Sequence, residues 1–87
     1  MVGESIPLEM RNYIRAIVKK QSVVMHINNL RSMYIGNNNF ILLISVDVDD
    51  YADGATIERM TENIKDEIIR NFPNARYIYI DVKSSGA

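Results

Sequence analysis

The chain has no cysteine. That removes disulfides, thiolate zinc sites and cysteine nucleophiles at once, and is compatible with a reducing compartment. It has no apolar run near the ~20 residues a membrane-spanning helix needs; the longest, Phe40 to Ile44, is strand-sized. The N-terminus shows neither the basic start nor the apolar stretch of a secretion signal. Excess charge of one sign is missing too. A net charge of −1, with Lys19-Lys20 as the only adjacent basic pair, gives nucleic acid no cationic surface to grip. Catalytic motifs are equally scarce. His26 is the only histidine, no serine sits in a Gly-x-Ser-x-Gly elbow, and Gly36 and Gly54 are too isolated to form a phosphate loop. Nothing in the sequence asks for an enzyme.

What is present suits one globular domain spanning residues 1–87: 47% apolar and 24% charged residues, without repeat, linker or low-complexity stretch. Met10, Tyr13, Ile14, Ile17 and Val18 recur at helical spacing, so a helix is expected from Leu8 to Lys20. Pro7 suits its first turn, and Ser5 or Ile6 would cap it. Val23 to Ile35 is rich in β-branched and long apolar residues and ends in Gly36-Asn37-Asn38-Asn39, four residues that tolerate positive φ and suit a hairpin. Phe40 to Asp49 forms the second strand. Asp53 or Thr56 can then cap a helix carrying Ile57, Met60, Ile64 and Ile68 on one stripe and stopping before Pro73. Arg76 to Lys83 is the last strand. The order α-β-β-α-β predicts an α+β, ferredoxin-like domain, with a three-stranded sheet and both helices on one face.

The second sheet face does not look like one left to water. On the second strand Phe40, Leu42, Ile44, Val46 and Val48 point toward the helices, while Ile41 and Leu43 point away, beside Tyr77 and Tyr79 of the last strand. A solvated face alternates to polar residues. These four residues are therefore expected to form the interface of a homodimer.

Metal chemistry has two candidate groups. Asp47, Asp49, Asp50 and Asp53 crowd the end of the second strand, with Asp81 on the third. Oxygen donors suit hard ions, but the spacing matches no EF-hand loop, and the simpler reading is turn formation and helix capping. Alternation also places His26, Ser45, Asp47, Tyr79 and Asp81 on the outward face, where a lone histidine is more often packed or solvated than a ligand.

Four stretches, in order along the chain, resemble the cytoplasmic domain of cation diffusion facilitators: Gly3-Glu4-Ser5; Ile27-Asn28-Asn29-Leu30-Arg31-Ser32-Met33-Tyr34-Ile35-Gly36; Ser45-Val46-Asp47-Val48-Asp49; and Phe72-Pro73-Asn74-Ala75-Arg76-Tyr77-Ile78-Tyr79-Ile80-Asp81. The resemblance implies a membrane part of six helices preceding Gly3, exchange of zinc or a related divalent ion for protons there, and a tail on the cytoplasmic side that dimerises and senses metal. It also implies a ligand set that this chain lacks. Asn28, Ser45, Glu58 and Asp81 stand where many members have histidine. The candidate metal residues are then His26, Asp47, Glu58 and Asp81, for zinc or manganese held weakly, since imidazole is what makes such sites tight for zinc. The sequence reads nearer a subgroup without the histidines, in which dimerisation comes before sensing. A free-standing small-molecule or metal-sensing module of the same fold is the alternative, because one fold hosts many functions.

Overall fold

A computed structural model describes residues 6–84. The elements follow the expected order: α1 (Leu8–Lys19), β1 (Val24–Gly36), β2 (Asn39–Val48), α2 (Gly54–Asn71) and β3 (Ala75–Ser84).

Pro7 itself occupies the cap position of α1, in extended backbone (φ −58°, ψ 152°) and without a side-chain cap. Its carbonyl accepts the first helical hydrogen bond from the Arg11 N–H at 3.0 Å. Ile6, one of the two expected caps, is a core residue instead, and its N–H donates to Ser32 Oγ at 3.0 Å. The other, Ser5, lies outside the described residues. An isoleucine has no oxygen to cap with, and burying its side chain contributes roughly 1.5–3 kcal/mol by taking apolar surface out of water. Ile14, Ile17 and Val18 point inward, and the Arg11 guanidinium donates to the Leu30 carbonyl at 2.7 Å, fastening α1 to β1.

The Asn-rich stretch makes a tight turn. Gly36 pairs with Asn39, and the two residues between them, Asn37 and Asn38, both take positive φ (52° and 65°). That is the combination a two-residue hairpin of right-handed twist requires, and asparagine tolerates it better than other side chains. α2 is capped by Asp53, whose Oδ1 accepts from the Thr56 N–H at 2.8 Å, and ends at Asn71 ahead of Pro73.

The three strands form one sheet in the order β1-β2-β3. β1 and β2 are antiparallel; β2 and β3 are parallel, joined through α2 as parallel neighbours must be by a crossover. Phe40, Leu42, Ile44, Val46 and Val48 from β2 join Ile14, Ile17, Val18, Met60, Ile64 and Ile68 from the helices in a single core. Tyr13 rests edge-on against Phe72 (centroids 5.4 Å apart, planes at 90°) and donates its hydroxyl to Asn71 Oδ1 at 3.2 Å, tying α1 to the end of α2.

β1 is irregular. It slips register between Val24 and His26, between Ile27 and Asn29, and between Tyr34 and Gly36, so Met25, Asn28 and Ile35 are extra residues opposite β2. Each slip turns the following side chains to the other face. Without the one at Asn28, His26 would share a face with Leu30, four residues on, and point into the core.

Replacing Asn38 with valine should cost about 1–2 kcal/mol, because a β-branched residue cannot sit at this φ without strain. Denaturant unfolding measures it; an unchanged midpoint would show that the turn has another conformation.

Candidate functional site

Backbone register fixes what lies on the face away from the helices. Reading across β1, β2 and β3, its rows are His26–Asp47–Lys83, Asn29–Ser45–Asp81, Arg31–Leu43–Tyr79 and Met33–Ile41–Tyr77. One end of the face is polar and the other apolar. The apolar end is open: Met33, Leu43, Tyr77 and Tyr79 are 42%, 44%, 53% and 56% exposed, and Ile41 between them is partly so. No element of the chain covers these residues among those described. Four of the five were expected from strand alternation; Met33 and Arg31 were not, because placing them requires the slip near Ile35.

At the polar end His26 and Asp47 are cross-strand neighbours, and Lys83 lies on the other side of Asp47. The Asn28 amide, thrown outward by its bulge, donates to Asp47 Oδ1 at 2.8 Å. Asp81 belongs to the next row, beside Ser45. Glu58 is not brought to them. It sits on α2, in the layer behind the sheet, and is exposed. Among the described residues no group of three or more His, Cys, Asp or Glu side chains is placed to hold a metal ion. Within one copy, then, His26 and Asp47 are the only adjacent pair of the four candidates.

Two of the acidic residues after β2 serve the backbone. Asp49 Oδ1 accepts from the Tyr51 N–H at 3.0 Å, and Asp53 caps α2. Hydrogen bonds from Thr56, side chain and N–H, hold the Asp53 carboxyl below its ordinary value of 3.8, with the Arg59 charge adding to them.

No described helix is long and apolar enough to cross a membrane. No family model matches the sequence, and no curated protein matches it. Solved structures match in fold. The cytosolic domain of a cation diffusion facilitator family protein superposes with a TM-score of 0.81 at 19% identity, covering 92% of this chain and 94% of that one. A manganese form and a cadmium form of MamM CTD variants give TM-scores of 0.74 and 0.77 at 13% identity, covering 87% and 88% of this chain and 95% of each of theirs. The α-β-β-α-β, ferredoxin-like arrangement is thus the fold of cation diffusion facilitator cytosolic domains.

The cap makes a pH-dependent contribution. A carboxyl whose folded pKa is depressed stabilises fully above its unfolded value and loses that contribution as the pH falls through the folded one. Asp53→Ala should lower the melting temperature at pH 7, and the gap to wild type should close in strong acid. Asp53→Asn, which caps without charge, should stay near wild type at pH 7 and become the more stable of the two in strong acid, where the wild-type carboxyl is protonated. Thermal unfolding of the three chains at both pH values checks the signs.

Proposed function

We propose that this chain is the self-associating cytosolic domain of a divalent-cation efflux transporter of the cation diffusion facilitator type, a binding module with no catalytic role of its own. The observation that carries the reading is the meeting of that fold with an uncovered apolar sheet face at Ile41, Leu43, Tyr77 and Tyr79. Contiguous apolar surface of this kind marks an interface, and a second copy of the chain is its occupant. Transport, by exchange of the metal ion for protons, belongs to a membrane-embedded part of the same polypeptide, and this domain lies on the cytoplasmic side and holds two such parts together. An upstream reading frame with six apolar spans agrees with this; a genuine start at Met1 favours a free-standing module.

Metal sensing is the secondary role. His26 and Asp47 offer one nitrogen and one carboxylate, and a second copy facing this one could add Asp81, whereas Glu58 lies behind the sheet in both copies. Oxygen donors in place of imidazole make this a weak site, for zinc or for a harder ion such as manganese. An ion bridging two copies would favour the arrangement that binds it better, which is how a sensor shifts a population. Such binding should be lost in both His26→Ala and Asp47→Ala. Titration with zinc and with manganese reads it directly, and absence of saturable binding to either ion removes the sensing role.

For self-association, Leu43→Asp and Ile64→Asp make a matched pair. Leu43→Asp should weaken the dimer by about 100-fold or more, since interface centres carry most of the affinity, while leaving the circular dichroism spectrum intact. Ile64 is fully buried, and an unpaired carboxylate there costs a large part of the about 5–15 kcal/mol that holds a domain folded, so Ile64→Asp should unfold the chain. A wild-type chain that sediments as a monomer at high concentration refutes the reading.

A further inference from the structure

Two opposite charges on the outer face have no partner among the described residues of their own chain. Arg31 on β1 and Asp81 on β3 are both exposed, and neither has an ion-pair or hydrogen-bond partner among the described residues. They flank a shallow depression of about 200 Å³ lined also by Asn29, Leu43, Ser45 and Tyr79. Arg31 shares a row with Leu43 and Tyr79; Asp81 is one step along, in the row of Asn29 and Ser45. The cation is therefore at one edge of the face and the anion at the other.

An isologous pair must bring this face against itself about a two-fold axis. An axis running across the strands reverses the order of the rows and lays β1 over β1. Arg31 then meets no carboxylate from that strand, because Val24–Gly36 contains none. With an axis running along β2, β1 of each copy lies over β3 of the other and the rows stay aligned, apolar end against apolar end. Arg31 then falls above Tyr79 of the second copy, whose ring face suits a guanidinium, and Asp81 is one residue pair further on, a step of about 7 Å that a long arginine side chain spans. The two-fold supplies the contact twice.

We propose that two copies of this chain associate about an axis parallel to β2, with Arg31 of each paired to Asp81 of the other, so that charge fixes which of the two face-to-face arrangements forms. The inference rests on the dimer reading above and adds its orientation. Apolar burial supplies attraction without direction; complementary charge supplies register. It also gives Asp81 a partner other than a metal ion, so that a cation drawn to Asp81 competes with Arg31.

Charge exchange tests it. Arg31→Glu alone sets a new carboxylate against Asp81 of the second copy, and Asp81→Arg alone sets a new guanidinium against Arg31. Each variant should therefore self-associate at least 10-fold more weakly than wild type by sedimentation equilibrium. Mixed in equal amounts, the two should form a heterodimer that recovers one attractive contact, between the introduced carboxylate and the introduced guanidinium, beside the native Arg31–Asp81 contact. Its affinity should lie within a few-fold of wild type. Recovery on mixing also shows that each variant is folded. Lys19→Glu, on exposed α1 behind the sheet, should leave self-association unchanged. If wild type dimerises and the single variants do so equally well, or if mixing restores nothing while both variants melt like wild type, the proposed orientation is overturned. If wild type itself is monomeric, the dimer reading fails with it.

Discussion

Two helices can cover only one face of a three-stranded sheet, and the strands here carry apolar side chains on both. Every other feature of the molecule adjusts to that mismatch. On the inner face the arrangement is conventional: β2 contributes a run of alternating apolar residues that the Ile14–Val18 and Met60–Ile68 stripes bury to near-zero exposure. On the outer face the same alternation delivers Ile41 and Leu43 to a side that no described element covers. Natural monomers seldom leave apolar surface of this kind contiguous, and the exposed tyrosines beside it add rings with one apolar body and one polar tip, the kind of side chain that suits an interface.

The bulges of β1 help divide this face into a polar and an apolar half. A strictly alternating β1 would turn its residues outward in an order set only by the turn. With Met25, Asn28 and Ile35 as extra residues, the strand presents His26, Asn29, Arg31 and Met33 instead, and the inner face still receives Val24, Ile27, Leu30 and Tyr34. The same device weakens β1 as a template for further strand pairing, a hazard of any edge strand. An irregularity that costs ladder hydrogen bonds therefore secures the core, sorts the outer face and protects the edge.

Most of the architecture was legible in the sequence because most of it follows from periodicity. The helical stripes, the asparagine turn, the stop before Pro73 and the two faces of β2 all came from spacing and turn chemistry, and each is present. Boundaries moved by one residue, as with α1 ending at Lys19. The outer face was legible where the strand is regular, at Ile41, Leu43, Tyr77 and Tyr79. Met33 and Arg31 were hidden because counting back from the Gly36–Asn39 turn assigns the wrong face until the extra residue near Ile35 is known. His26 was placed outward, where it lies, yet only the bulge at Asn28 puts it there; simple alternation from Leu30 would have turned it inward. Glu58 entered the candidate ligand set by resemblance to a family pattern, and its layer in the fold separates it from the others of its own chain.

The polar end of the face bears on what kind of device the domain is. A cation site needs its carboxylates free of competing cations. Asp47 has the Asn28 amide on one oxygen and Lys83 as its neighbour in register, and Asp81 lies one row from that of Arg31 and Tyr79. Lys83 and Arg31 share the outer face with Asp47 and Asp81, the carboxylates that β2 and β3 turn outward, and positive charge there lowers the electrostatic attraction of the face for a metal ion. Amide, hydroxyl and carboxylate groups set beside fixed cations suit charge pairing between side chains more than tight capture of a borderline metal ion such as zinc.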